Sequence, residues 1–246
     1  MTPASENTVL VTGASRGIGA AIALRLAADG YRLALSYRAD TSAAEQVAAR
    51  AREAGAEVAL FQADAADPAQ SLMLPDRVFQ RWGRLDAVVA NAGLAIDGPL
   101  LSLTPAQCAA VIRTNLSGTL RTVGAALPHL RRSTGAAIVL VSSLGGIAGN
   151  DGQVPYAASK GGLIGLCQWL GERLGAEGIR VNAVAPGFIA TDMTHDLDPQ
   201  RMAPIVQASG LRRIGEAEEV AHAVSFLLRP GYIQSTTLRI DGGFAR

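Results

Sequence analysis

Aromatic residues make up only 4% of the 246-residue chain, and cysteine occurs just twice, at Cys108 and Cys167. Two cysteines cannot build a disulfide scaffold, so a reducing compartment and a cytoplasmic location are expected. An excess of either charge is also missing: 22 Lys+Arg stand against 21 Asp+Glu, a formal +1. Nucleic-acid and anionic-membrane binders ordinarily carry a basic excess, so neither kind of partner is expected. No apolar run approaches the roughly 20 residues that span a bilayer. The opening MTPASENTVLVTG lacks the basic-then-apolar order of a signal peptide, so none is expected. Histidine is sparse as well. His129, His195 and His222 are scattered without metal-ligand spacing, and the four methionines form no stripe.

What is abundant is small and apolar: the chain is 49% hydrophobic and contains 27 glycines. Short apolar runs alternate with longer amphipathic ones. Strands are expected at Thr8–Thr12, Arg32–Ser36, Glu57–Gln62, Ala87–Ala90, Ala137–Ser142, Arg180–Ala185 and Thr237–Ile240. Most read as apolar on both faces, as strands covered by helices above and below do. Helical periodicity fills Ile18–Asp29, Ser42–Ala54, Ala69–Trp82, Ala106–Leu130, Tyr156–Glu177 and Glu216–Leu228. Such alternation predicts βαβ units with right-handed crossovers and a parallel sheet, an α/β fold. Neither a Pro/Ser-rich linker nor an internal repeat divides it, so one domain is expected. Phe188–Gly215 is the least regular stretch and is expected to be a substrate lid.

Between the first strand and the first helix lies Thr12-Gly13-Ala14-Ser15-Arg16-Gly17-Ile18-Gly19. Glycines there permit a tight turn and a close approach of backbone to a pyrophosphate, whose charge suits a helix N-terminus. Similar turns also serve as plain connectors; position after the first strand of a βαβ unit favours the nucleotide. At the end of the second strand, an acid would bind a ribose 2′-hydroxyl, and an arginine a 2′-phosphate. Here the residues are Ser36-Tyr37-Arg38, with Asp40 further into the loop and Arg16 across the turn. The pattern predicts NADP(H).

Tyr156 and Lys160, four apart at the start of a helix, project from one face. A phenol with a pKa of about 10 is a poor acid–base group at neutral pH. A neighbouring ammonium would lower that value and make Tyr156 a proton donor. Ser142 and Ser143 end the strand Ala137–Ser142, at the sheet edge where open α/β folds bind ligands. Alternation alone leaves the choice between them open. Asn115 falls inside a helix, where asparagine is mildly unfavourable and calls for a reason.

Together these residues resemble the short-chain dehydrogenase/reductase family, and within it the bacterial 3-oxoacyl-[acyl-carrier-protein] reductases. The resemblance rests on Thr12–Gly19, Asn91-Ala92-Gly93, Asn115, Ser143, Tyr156-x-x-x-Lys160 and Pro186-Gly187, in family order over nearly the whole chain. Closer still are Gly149-Asn150-x-Gly152-Gln153, Gly161-Gly162-Leu163-Ile164-Gly165 and Val184–Met193. Ser143 precedes Tyr156 by 13 residues, the family spacing, which selects it over Ser142. The resemblance implies one doubly wound Rossmann domain with a seven-stranded parallel sheet in the order 3-2-1-4-5-6-7. It implies NADPH-dependent reduction of a 3-oxoacyl thioester, with an acyl carrier protein as partner and a homotetramer as the assembly. Ser143 would then bind the carbonyl with Gln153 nearby, Tyr156 would protonate the alkoxide, Lys160 would tune Tyr156, and Asn115 would hold a water. NADP(H) would lie on Gly13, Ser15, Arg16, Gly17, Ile18, Gly19 and Arg38. Asp64 and Ala65 would flank the adenine, Asn91, Ala92 and Gly93 would line the way to the ribose, and Ile189 with Thr191 would hold the carboxamide beside Pro186 and Gly187.

The chain also departs from that pattern. Ala90 stands where the family has a first asparagine, Pro155 precedes Tyr156, and Tyr232–Ser235 lacks a usual glycine. Basic residues that dock the acidic carrier align with Thr134 and Glu177, leaving only Arg131, Arg132 and Arg173 nearby. A reductase of free ketones and a non-catalytic cofactor-binding protein are the alternatives. An intact Ser143–Tyr156–Lys160 set argues against the latter.

Overall fold

Neighbouring residues of the first strand point into two different cores. Val9 and Val11 face one, Leu10 the other, and all three are fully buried. The computed structural model describes residues 7–191, 199–229 and 231–244. Seven parallel strands form the main sheet: β1 (Thr8–Val11), β2 (Arg32–Tyr37), β3 (Val58–Gln62), β4 (Ala87–Ala90), β5 (Ala137–Val141), β6 (Arg180–Pro186) and β9 (Thr237–Ile240). Their order is β3-β2-β1-β4-β5-β6-β9, and β7 (Ile189–Ala190) pairs with β8 (Gly215–Glu216) in a small separate ladder. With that ladder set aside, the order is the expected 3-2-1-4-5-6-7.

Helices cover both faces, which is why the strands carry no polar stripe. On one side lie α1 (Gly17–Ala28), α2 (Thr41–Glu53) and α9 (Ala217–Leu228), burying Ile22, Leu26, Val47, Val224 and Leu227. On the other lie α3 (Pro68–Trp82), α5 (Thr119–Leu130) and α7 (Val154–Leu174), burying Leu74, Val78, Val123, Leu130 and Leu170. Because all seven strands run parallel, their carboxyl ends share one edge. Thr12, Arg38, Asn91, Ser143 and Gly187, far apart in sequence, are thereby gathered there.

Two expectations are corrected. The single helix Ala106–Leu130 is instead α4 (Pro105–Ile112), a π-helical turn (Arg113–Gly118) and α5. Asn115 lies in that turn, and its carbonyl accepts from Thr119 Oγ1 at 2.8 Å. Its side chain reaches out of the helix to other segments, which a regular helical turn would aim differently. The irregular stretch Phe188–Gly215 holds regular structure as well: β7, α8 (Pro199–Ala208) and the start of β8. Asp192–Asp198, which includes Met193 and His195, lies outside the described residues, as does Pro230.

Candidate active site

A cleft of about 1400 Å³ runs along the carboxyl edge of the sheet, lined from Gly13 and Arg38 to Ser143 and Tyr156. Its first end is made of backbone. Gly13 and Gly17 have φ of +65° and +54°, which side-chain-bearing residues rarely adopt. Close approach constrains the turn further. A Cβ on Gly13 would lie 2.9 Å from Ala92 Cα, and one on Gly19 would lie 2.2 Å from Gly13 O. Arg16, the residue before α1, makes no side-chain cap, and the first turn holds no acid, so its N–H groups remain available to an anion.

Asn91 does more than line a path. Its Nδ2 donates to the carbonyls of Thr12 and Gly13, both at 3.0 Å. In return Thr12 Oγ1 accepts from the amides of Asn91 and Ala92, both at 3.0 Å. Thr12 and Asn91 thus hold the glycine turn against the end of β4. Sequence reading missed this clamp because its halves lie 79 residues apart.

At the end of β2, Arg38 is exposed and lines the cleft, as Arg16 does. Neither pairs with an acid among the described residues. Asp40, the nearest carboxylate, caps α2 by accepting from Ala43 N at 2.9 Å. Beyond it, Asp64 accepts from Ala66 N at 2.8 Å, and Ala65 O accepts from Arg121 Nη2 at 3.2 Å. Arg121 was not anticipated; only the packing of α5 on this loop reveals it. Ile18, Asp64, Ala65, Pro186, Gly187 and Ile189 all line the cleft, and Thr191 packs against Gly17 at the mouth of α1.

The other end is made of side chains. Ser142 and Ser143 separate cleanly. Ser142 is buried and donates to Lys160 O at 2.7 Å, which makes it structural. Ser143 caps the short helix α6 (Leu144–Ala148), accepting from Gly145 N at 3.1 Å, and hydrogen-bonds Tyr156. Lys160, only 4% exposed, donates from Nζ to Val141 O at 2.7 Å and sits 5.7 Å from the Tyr156 ring centroid. Asn115, wholly buried, grips Leu94: its Oδ1 accepts from Leu94 N at 2.7 Å and its Nδ2 donates to Leu94 O at 2.9 Å. The same Nδ2 reaches Ser159 Oγ at 3.0 Å, tying the π-turn to the helix that carries Tyr156. Gln153 lines the cleft with both ends of its amide engaged, on Asp97 at 2.8 Å and Asn150 at 3.0 Å.

Electrostatics at this end differ from the expectation in one respect. Burial pushes Lys160 down to about 8 and, as the larger effect, pushes Tyr156 above its ordinary value; the Ser143 hydrogen bond opposes the latter shift. In the protein alone Lys160 is therefore not what sets Tyr156. Its ammonium is turned to the Val141 carbonyl.

A family model described as Enoyl-(Acyl carrier protein) reductase matches residues 13–245. The chain belongs to the short-chain dehydrogenase/reductase family. Among relatives, a 3-oxoacyl-[acyl-carrier-protein] reductase FabG of Staphylococcus aureus is 38% identical over 238 residues, 96% of this chain and 97% of that one. A short-chain dehydrogenase of Burkholderia cenocepacia, solved with NADP, superposes with a TM-score of 0.92 at 37% identity, covering 98% and 99% of the two chains. Levodione reductase superposes equally well, with a TM-score of 0.92 at 35% identity over 97% of each chain. Family membership makes this protein an oxidoreductase. No helix among the described residues is long and apolar enough to cross a membrane, and none of them cluster as metal ligands.

The three arginines near the aligned docking positions are engaged locally. Arg131 pairs with Glu177 at 2.5 Å, Arg132 lies 4.7 Å from the Phe79 ring centroid, and Arg173 lies 5.6 Å from that of Trp169.

Proposed function

We propose that the protein reduces the keto group of a 3-oxoacyl thioester in the cytoplasm, using NADPH. The observation that carries this reading is the meeting of Ser143, Tyr156 and Lys160 at one end of a cleft whose other end is a glycine cradle. The cradle suits a dinucleotide because a backbone turn with positive φ at Gly13 and Gly17, packed too closely on Ala92 and Gly13 for a Cβ at Gly13 or Gly19, lines the cleft at the start of a helix. Arg16 and Arg38 suit a 2′-phosphate, and Asp40, occupied as a helix cap, offers no competing ribose acceptor. When bound, the nicotinamide supplies a hydride.

The chain's own residues supply the rest. Ser143 and Tyr156 present two hydroxyls that bind a carbonyl oxygen and stabilise the negative charge developing on it. Tyr156, protonated at neutral pH with burial holding its pKa above the ordinary value, gives its proton to that oxygen. Lys160 would hold the nicotinamide ribose of the bound cofactor, and Asn115 keeps the Leu94 loop and Ser159 in register with the helix that carries Tyr156. Carbonyl rather than enoyl reduction is favoured because two hydroxyl donors suit a developing oxyanion, and because the chain is similar to relatives named 3-oxoacyl-[acyl-carrier-protein] reductase. Exposed Leu120 and Trp169 on α5 and α7, with Phe226 and Leu238 on α9 and β9, support a homotetramer. Light scattering reads that state directly.

A free ketone is the second reading, favoured by the engagement of Arg131 with Glu177 where an acidic carrier would dock. NADPH oxidation with an acetoacetyl thioester, a carrier-bound 3-oxoacyl chain and simple ketones decides between them. Turnover of simple ketones without either thioester would overturn the first reading.

A further inference from the structure

One carboxylate in the cleft has no part in the mechanism above. Asp97, on the loop after β4, is exposed, lines the cleft and pairs with no cation among the described residues. Gln153 Nε2 donates to its Oδ2 at 2.8 Å, and Gly98 N donates to Gly152 O at 2.8 Å beside that contact. Gln153 is the residue at which α7 begins, three before Tyr156. The Asp97 loop is thereby latched to the start of the catalytic helix.

The charge distribution along the cleft is uneven. Arg16 and Arg38 line the glycine end, whereas the described charged residues at the Tyr156 end are Asp97, Asp151 and Lys160. Lys160 is buried, with its Nζ on the Val141 carbonyl. Among the described residues, a substrate carboxylate entering there would meet two acids and no free cation.

We propose that Asp97 is a positioning and specificity-determining residue that admits neutral 3-oxo compounds and turns away those with a free carboxylate beside the reacting carbonyl. Like charges facing each other across a cleft repel, a recognised route to selectivity by exclusion. A thioester differs from its free acid in lacking that charge, so the inference deepens the thioester reading and rests on it for the natural substrate. Burial raises the Tyr156 pKa most, and the Asp97 carboxylate acts in the same direction.

The test compares acetoacetate with ethyl acetoacetate, a pair differing in that one charge and containing no thioester. Loss of thioester turnover would sink the proposed function and leave this comparison standing. The unaltered chain should prefer the ester. Asp97→Asn keeps an oxygen for Gln153 and should raise the acid-to-ester ratio of kcat/KM about tenfold, the order expected for charges roughly 10 Å apart at an effective dielectric of about 20. Reduction of the ester should also lose its activity at lower pH in Asp97→Asn, because Tyr156 then ionises more readily. Asp97→Glu should restore the ratio, and Glu53→Gln, an exposed carboxylate on α2, should not move it. An unchanged ratio in Asp97→Asn, equal loss on both substrates, or acetoacetate turned over as fast as the ester by the unaltered chain would overturn the proposal.

Discussion

At the glycine end of the cleft the working groups are backbone amides, whereas at the tyrosine end they are side chains. The two are secured by different means. Gly13, Gly17 and Gly19 hold their geometry by excluded volume, since a Cβ would collide with Ala92 or Gly13 itself or strain the backbone. Ser143, Lys160 and Asn115 are held by hydrogen bonds to Gly145, Val141, Leu94 and Ser159, drawn from several segments. An end made of backbone tolerates nearly any neighbouring side chain but no added atom. An end made of side chains tolerates changes of volume but not of donors.

Four substitutions or conditions would break or sharpen that contrast. Tyr156→Phe removes one oxygen and should cut turnover by about 10³-fold, within the range of general acid catalysis, while NADPH binding stays nearly unchanged. Steady-state rates beside a fluorescence titration of NADPH would show it. Next in size, Arg38→Asp should weaken NADPH about 100-fold and NADH only slightly, since it exchanges a charge-assisted contact for a repulsion. Equal loss for both cofactors would remove Arg38 from the phosphate site. Gly19→Ala should weaken both cofactors alike and cost about 1–3 kcal/mol of stability, the usual price of overpacking, read by urea unfolding.

The smallest effect concerns buried charge, found only at the side-chain end. Lys160 is charged below about pH 8 in the folded chain, while its unfolded value is 10.5. Between those values the unfolded state binds the extra proton, so stability should rise with pH, by up to about 1 kcal/mol from pH 8 to pH 9. Cys167, pushed by burial up to about 12, acts in the opposite sense as its unfolded thiol ionises. Comparing unfolding of the unaltered chain with Lys160→Met cancels the cysteine. Parallel pH dependences would show that Lys160 is not the source.

Much of this was legible beforehand. Seven strands were visible as short apolar runs, and the glycine turn as a local pattern whose chemistry depends only on its own backbone. Ser143, Tyr156 and Lys160 were found through family spacing; alternation alone left Ser142 in contention. The Asn91 clamp on the glycine turn, the Arg121 contact with Ala65, the Asp97–Gln153 latch and the break at Asn115 were not visible. Each joins segments tens of residues apart, or depends on where a side chain points once a helix has packed.

By itself the sequence determined the alternation of strands and helices, the anion-binding turn and the arginine after β2. Hydrophobic period, glycine content and one side chain's charge are local quantities that survive without a fold. Tertiary structure alone decided that the Ser142 hydroxyl is spent on the Lys160 carbonyl, why Asn115 sits where a helix resists it, and how the ammonium of Lys160 is directed. Those outcomes depend on distances between strands that only the parallel sheet brings side by side.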